Sequence, residues 1–450
     1  MKKQWRVGTL VYTSGGLVVL FCWLLWGDFT FYMRERSVGP TMTLVLRQLN
    51  ASGIVVGILM GFLPQALSLL LVPVISYRSD RHRGRWGRRI PFLLAPTPFV
   101  FLSMLGLAFG PVLGRWIYQL TGGQLLSENG CAILALGVSW AVYEIAITVS
   151  TAVFHGLFND VVPREVIGRF WALFRVVNLI DGMIFNYFLI GHAEKHYMLI
   201  FGGVGVFYAI SFTAMCLRVK EGEYPPPPVV TQERTGAWLA IKEYMRDCFT
   251  QPFYLWYFAF YALVRWAVQP LSLFMIFFAK SLHMDMALYG KYATAQMAVS
   301  LVMAYPTGWL VDKFHALRVS IVSLALYVLA TLVAFFLVDD GWSLGVAIVV
   351  CGAFAGIAGT AYQPLGLVLL PKMKFAQFNS ASTIGSSLGL AAMSPLCGLF
   401  FDWIGPDYRY IYLFASVGSL LALLSLLPVY RTFMARGGIK GYVPPEIKSD

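Results

Sequence analysis

Long stretches without a charged residue constrain this chain more than any other feature. A bilayer span needs roughly 20 apolar residues, and charge-free stretches of at least that length include residues 7–27, 48–77, 90–114, 319–338, 341–371, 375–401 and 410–430. Only 12% of the residues are charged and 58% are hydrophobic, which excludes a water-soluble domain. Counting shorter or singly interrupted stretches, we predict twelve transmembrane helices near 8–33, 51–76, 91–112, 131–156, 167–191, 196–217, 252–279, 290–311, 316–338, 342–366, 376–403 and 408–432.

The basic residues predict the orientation of these helices. With a cytoplasmic amino terminus, most of the 34 Lys and Arg fall on the cytoplasmic side, as the positive-inside rule requires. Both termini are then cytoplasmic, and we assign the net charge of +12 to topology and anionic lipid rather than to nucleic acid. The first apolar run lacks a cleavage site and is expected to remain as a helix. Short termini without a transit peptide are typical of a bacterial inner-membrane protein.

The sequence predicts two halves joined by a polar linker. We predict an amino-terminal half over 1–217, a linker over 218–251 that contains four consecutive prolines, a carboxyl-terminal half over 252–433 and a tail over 434–450. An acidic residue follows the second helix of each half, at Asp80 and Asp312. Duplicated six-helix halves are a recurring plan of secondary transporters.

Three short motifs resemble one known family. The stretch SDRHRGRWGRRIPF over 79–92 resembles the helix 2–3 signature of the major facilitator superfamily, in the expanded form of the glycoside-pentoside-hexuronide:cation and sucrose–proton symporters. GWLVDK over 308–313 is similar to its shorter repeat, and NDVVP over 159–163 with GRF over 168–170 is similar to the helix 4–5 junction. The resemblance implies twelve helices in two pseudo-symmetric halves and transport by alternating access. Two features depart from the pattern, since Ser76 replaces the leading glycine and helix 11 lacks an internal lysine.

Charged residues at the cytoplasmic helix ends are predicted to form a gate. A carboxylate there can pair with an arginine or face the positive amino terminus of a neighbouring helix, and such contacts can form in one conformation and break in another. Alternatively, the arginines only hold the topology. The predicted gating residues are Asp80, Arg81, Gly87, Arg88, Arg89, Asp160, Arg169, Asp312 and Lys313.

Five ionisable residues are predicted within the helices as coupling or cavity charges: Asp28, Glu144, Arg175, Asp181 and Arg265. Each costs roughly 2.5 to 3.5 kcal/mol at the bilayer centre and therefore needs a partner or a function. A buried carboxylate can load a proton outside and release it inside while an arginine takes over as counter-charge. The alternatives are a permanent ion pair of Glu144 or Asp181 with Arg175, and an interfacial position for Asp28 near the outer end of helix 1. For Arg265 we favour a substrate or counter-ion role over snorkelling.

Aromatic and amide side chains within the helices offer contacts for a sugar, because rings stack on C–H faces and amides bind hydroxyl groups. The predicted substrate-binding residues are Trp140, Tyr143, Asn178, Trp266, Gln269 and Gln296, and Trp171 and Gln363 are also available. Most Trp and Tyr residues of a membrane protein nevertheless belong to interfacial belts or the core.

These observations predict a secondary transporter for a sugar or glycoside, coupled to protons or alternatively to Na⁺. We expect a monomer without cofactor or metal site, whose partners are a small-molecule substrate and the bilayer. The six cysteines are scattered singly and read as core residues. An organic-anion porter, with Arg175 and Arg265 binding a carboxylate, or an exporter is the alternative. Enzyme motifs such as HExxH or GxSxG are absent from the spans, and paired halves argue against a channel.

Overall fold

The computed structural model describes residues 4–124, 126–163, 165–223, 244–371, 374–405 and 407–445. Helices dominate this part of the chain, and twelve of them are long. They are α1 (Ser14–Gln48), α2 (Gly53–Arg81), α3 (Ile90–Leu120), α4 (Glu128–Val161), α5 (Ile167–Ile184, continued by Phe185–Leu189 and Ile190–Ala193), α6 (Tyr197–Arg218), α7 (Pro252–Ser281), α8 (Met286–Phe314), α9 (Ala316–Leu337), α10 (Gly341–Leu369), α11 (Phe375–Ile404) and α12 (Tyr410–Ala435).

Eleven of the helices that the structure describes are long and apolar enough to cross a bilayer. The remaining long helix, α8, carries Lys291, Thr294 and Gln296 in its first half, which lowers its hydropathy. The prediction of an all-α, multi-pass membrane protein with twelve helices is confirmed. Two helices contain a π-helical turn, at Gly57–Phe62 of α2 and Phe185–Leu189 of α5.

The amino terminus differs from the prediction. Residues expected to open the first helix form an antiparallel hairpin instead, with strands β1 (Gln4–Val7) and β2 (Leu10–Thr13). A turn with Gly8 at φ +54° joins the strands, and their β-branched residues favour the extended conformation. The hydroxyl of Thr13 then accepts a hydrogen bond from the Gly16 N–H at 3.1 Å and begins α1.

The first helix is also longer at its other end. It continues through the charged residues 34–36 and Pro40 to Gln48, where a loop was predicted. Asp28 therefore lies in the middle of α1 and not near its outer end. The helix continues through these charges because Arg34 and Arg36 have hydrogen-bond partners within the protein and Glu35 is exposed.

The chain divides into two compact units, each with its own core. The first comprises Met1–Pro228 with Asp285–Thr294. Its helices pack as the pairs α3–α4, α1–α6, α3–α6, α2–α4 and α1–α5. A Cβ at Gly114 of α3 would lie 2.3 Å from the Ala132 Cα, so glycine permits the close approach of α3 and α4.

The second unit comprises Val229–Met284 with Ala295–Asp450. Helix α7 packs against α11 and α12, and α9 packs against α10 and α12. The Trp266 ring fills the space that a Cβ at Gly389 would occupy, at 1.8 Å. This glycine lets a large ring lie between α7 and α11. The predicted linker falls mostly on 224–243, outside the described residues, and so does the end of the tail.

Candidate functional site

Two buried carboxylates lie at the centre of the first unit. Asp28 of α1 and Asp181 of α5 are both 0% exposed, and none of their four carboxylate oxygens has a hydrogen-bond partner among the described residues. The two groups are close enough for their charges to interact. A buried polar group without a partner is costly, and a buried charge more so, so this pair is suited to bind a proton or another cation.

A buried arginine occupies the same unit. Arg34 is 2% exposed and donates a hydrogen bond to the Tyr143 hydroxyl. Its guanidinium carbon lies 4.7 Å from the ring centroid of Phe31, 5.5 Å from that of Tyr143 and 5.6 Å from that of Tyr208. The π-faces of these rings stabilise the cation away from water, and the charge of Glu144 interacts with it.

Arg34 and its neighbours take the place predicted for Arg175. The Arg175 side chain is exposed, and no hydrogen bond joins it to Asp181. Arg36 instead donates to the Asn178 side-chain oxygen at 3.1 Å, and its charge acts on Asp181. Sequence analysis missed Arg34, Glu35 and Arg36 because a run of three charges resembles a loop. The apolar sequence that continues beyond these three residues would have indicated a longer helix.

A second link joins α1 to α4. The Tyr32 hydroxyl and the His155 Nε2 are 3.4 Å apart, and the exposed Glu35 acts electrostatically on His155. Charged and titratable groups of α1, α4 and α5 therefore meet in one cluster. We call Asp28, Arg34, Glu35, Arg36, Glu144 and Asp181 the charge cluster.

Two predicted substrate-binding residues of α4 make structural contacts. Trp140 is 3% exposed and donates from its indole N–H to the Leu59 carbonyl at 2.7 Å. Leu59 belongs to the π-helical turn of α2, a distortion that often accompanies functional sites. Tyr143 is equally buried and holds Arg34. In this structure Trp140 therefore joins α4 to α2, and Tyr143 binds a member of the charge cluster.

The predicted gating residues of the first unit lie together at the ends of α2, α3 and α4. Arg88 binds Asp160 through two hydrogen bonds, of 2.5 and 2.9 Å. Arg89 bridges Asp160 and Asp80, with nitrogen–oxygen distances of 3.1 and 2.6 Å. Asp160 and Arg89 side chains are each only 11% exposed, so water screens this network little.

The network has a member that sequence analysis missed. Glu221, just beyond α6, accepts hydrogen bonds from the backbone N–H groups of Arg88, Arg89 and Ile90 at 2.9, 2.8 and 2.7 Å. These N–H groups begin α3 and have no partner within the helix, and the helix dipole favours a carboxylate there. Gly87 is required beside it, because its φ is +95° and a Cβ would lie 2.5 Å from the Glu221 carboxyl carbon.

The other predicted gating residues are not part of this network. Arg81 stacks on Tyr77 at 4.3 Å, and Lys313 lies 4.7 Å from the Trp309 ring. Asp312 is exposed and forms no ion pair with another described residue. The side chain of Arg169 lies outside the described part of the chain.

A different ion pair ties the linker to α11 in the second unit. The Lys374 Nζ lies 2.6 Å from an Asp247 carboxylate oxygen. The hydrogen bond and charge of Lys374 lower the pKa of Asp247. The Tyr244 hydroxyl donates to the Gln377 carbonyl at 3.4 Å.

The predicted substrate residues of the second unit join its helices. Trp266 donates to the Ser386 carbonyl at 2.9 Å, and Gln269 donates to the Ser394 hydroxyl at 3.0 Å. Gln296 donates to Ser300 at 3.1 Å and approaches the Gly352 carbonyl at 3.4 Å. Arg265 is half-buried in the middle of α7.

Comparison with known proteins supports this architecture. Residues 258–438 match the family model described as Major Facilitator Superfamily. Comparison with curated protein sequences gives no match.

Solved structures resemble the chain over nearly its whole length. A bacterial homologue of the iron transporter ferroportin, in an inward-facing state, is 15% identical over 92% of this chain and 99% of its own, with a TM-score of 0.68. The nucleoside transporter NupG is 11% identical over 91% and 100%, with a TM-score of 0.66. A bacterial homologue of the human lysosomal transporter Spinster is 16% identical over 95% and 98%, with a TM-score of 0.62.

Structural similarity at such low sequence identity indicates a shared fold but does not indicate a shared activity. The family-model match and these three structures agree on one architecture, which is also the one implied by the motifs of the first half. The chain is a multi-pass integral membrane protein with the major facilitator fold.

Proposed function

We propose that this protein is a secondary active transporter that moves a sugar or glycoside by alternating access, coupled to protons. The observation that carries the coupling is a pair of fully buried carboxylates, Asp28 and Asp181, which accept no hydrogen bond from the part of the chain that the structure describes. The motifs over 79–92 and 159–170 support the sugar-symporter branch, and the fold is one that transporters use.

Proton coupling follows from the electrostatics of the charge cluster. Two ionised carboxylates near each other at mid-bilayer repel and lack hydration, whereas one shared proton removes most of this cost. Arg36 acts on Asp181 and supplies the counter-charge once the proton leaves. Protonation from outside and release inside would then bias the protein between its two conformations.

The network around Asp160 is proposed to hold one of these conformations. Arg88, Arg89, Asp80 and Glu221 tie the ends of α2, α3, α4 and α6 to each other. Breaking the network would free the end of α3, which is the property required of a gate. We further propose a monomer in a bacterial inner membrane with both termini cytoplasmic, and Na⁺ as the alternative coupling ion.

An organic-anion porter or exporter is the second candidate. The fold serves varied substrates, since one similar structure is described as a nucleoside transporter and another as a bacterial homologue of an iron transporter. A half-buried arginine in the middle of α7 favours an anion specifically.

Purified protein in liposomes tests the proposal. Mono- and disaccharides, glycosides and hexuronides are added outside under an imposed membrane potential, and external pH is recorded. We expect sugar-dependent alkalinisation that Asp28→Asn and Asp181→Asn lose and that Glu128→Gln keeps, because Glu128 is exposed and pairs with the exposed Arg115. If no sugar moves protons or Na⁺, the sugar-symport proposal fails while the fold stands.

A further inference from the structure

A cavity of about 370 Å³ lies within the second unit, between the first turns of α7, the end of α10 and the start of α11. A turn at residues 363–364 interrupts α10 there. Its walls carry three tyrosines and two amides: Tyr257, Tyr261, Tyr362, Gln363 and Asn379. Gly359 and Gly366 also line the cavity and leave room between the rings. Of the polar residues here, sequence analysis had named only Gln363.

The lining has the chemistry of a ring-binding site. Tyrosine rings offer flat apolar faces, and their hydroxyls and the two amides both donate and accept hydrogen bonds. The volume lies at the lower end of the range for small-molecule pockets. A compound of one or two rings with polar substituents would fill it.

Arg265 adds a positive charge next to this cavity. Tyr257, Tyr261 and Arg265 follow one another at intervals of four residues, so they share one face of α7. Arg265 lies about 6 Å beyond Tyr261 along the helix axis, and its charge interacts with Tyr362 in the cavity wall.

No carboxylate compensates this charge within the described part of the second unit. The acidic residues there lie at helix ends or in loops: Asp247, Asp312, Asp339, Asp340, Asp402 and Asp407. Arg265 forms no hydrogen bond or ion pair with any residue that the structure describes. A cation without a partner in the middle of a membrane helix is costly, and an anionic ligand would remove this cost. A guanidinium binds a carboxylate through two parallel hydrogen bonds.

We propose that this cavity binds the transported solute, and that the solute is an anionic ring compound whose ring lies between the tyrosines and whose carboxylate pairs with Arg265. The proposal rests on the proposed transport function. It narrows the substrate class to acids, such as a sugar acid or an acidic glycoside.

Matched pairs of acid and neutral ligand test this directly. Full-length protein in lipid nanodiscs is titrated by calorimetry with glucuronate and glucose, 4-nitrophenyl β-D-glucuronide and 4-nitrophenyl β-D-glucoside, benzoate and benzamide, and nicotinate and nicotinamide. We expect at least one acid to bind at least tenfold more tightly than its neutral partner. Arg265→Gln should abolish that preference, and Arg265→Lys, which keeps the charge, should restore part of it.

Lys280→Gln is the matched control, because it removes a positive charge from α7 about 22 Å along the helix from Arg265. It should leave the preference for the acid unchanged. Thermal unfolding midpoints of all variants verify that they are folded.

The proposal is overturned if no acid of the panel binds, or if the acids bind wild type and Arg265→Gln equally well. These outcomes are distinct from a failure of the proposed function. If acids bind wild type but not Arg265→Gln, and no solute moves protons in liposomes, then only the proposal of proton symport fails. If sugar still drives proton uptake in Arg265→Gln as in wild type, then only the proposal of an anion site fails.

Discussion

Glu221 offers the sharpest test of how the first unit is held together. Its carboxylate accepts three backbone N–H groups at the start of α3, at 2.7–2.9 Å. Loss of a side-chain cap costs about 0.5–2 kcal/mol, and a negative charge at a helix amino terminus adds about 0.3–1 kcal/mol. Because Glu221 is half-buried, we expect Glu221→Ala to lower the free energy of unfolding by about 1.5 kcal/mol.

The measurement is reversible unfolding in mixed micelles of dodecyl maltoside and SDS, followed by circular dichroism. Glu221→Gln should lose about half as much, since its amide oxygen still accepts hydrogen bonds without the charge. Glu223→Ala is the control, because Glu223 lies two residues away and its side chain is exposed. Within the described part of the chain its hydrogen bond is made by the backbone N–H, which donates to the Thr9 hydroxyl. Equal stability of Glu221→Ala and Glu223→Ala would refute the role of the carboxylate.

Two further predictions concern the charges of each unit. Arg34→Ala should lower the free energy of unfolding by at least about 2 kcal/mol, because it removes a buried cation from its aromatic partners and from Glu144. Arg85→Ala, at an exposed position in the loop before α3, should change it by less than about 0.5 kcal/mol in the same micelle assay. In the second unit, Lys374 lowers the pKa of Asp247 in the folded protein. The ion pair therefore stabilises the folded state fully at a pH above the pKa of the unfolded state. This stabilisation is lost as the pH falls through the lower pKa of the folded state. Between pH 6 and pH 3 the thermal unfolding midpoint of wild type should therefore fall more than that of Asp247→Asn, and parallel curves would contradict the role of the pair.

The long helices were predictable because the bilayer leaves few choices. An apolar run of 20 or more residues must satisfy its backbone internally, and a helix does so with local hydrogen bonds. The loop motifs named Asp80, Arg88, Arg89 and Asp160 as gating residues, and the structure brings these four together. Their action as a gate stays a prediction.

The two ends of α1 show where local reasoning failed. The hairpin over 4–13 and the helical run through Arg34, Glu35 and Arg36 both contradict a reading based on charge and hydropathy alone. A charged residue can continue a membrane helix when other side chains of the protein bind it. Tyr143 and Glu144 interact with Arg34, and Asn178 accepts a hydrogen bond from Arg36. These three residues lie more than 100 residues away along the chain.

Hydropathy and charge along the chain therefore establish the membrane class, the number of helices and their expected orientation, since each of these depends on short stretches meeting hydrocarbon or water. The partners of individual charges depend on which helices pack together. Glu221, which follows α6, binds the backbone N–H groups at the start of α3. Arg34 is buried, whereas Arg175 is exposed. The charge of Arg265 on α7 interacts with Tyr362 of α10. Such contacts join residues far apart in sequence, and no local pattern encodes them.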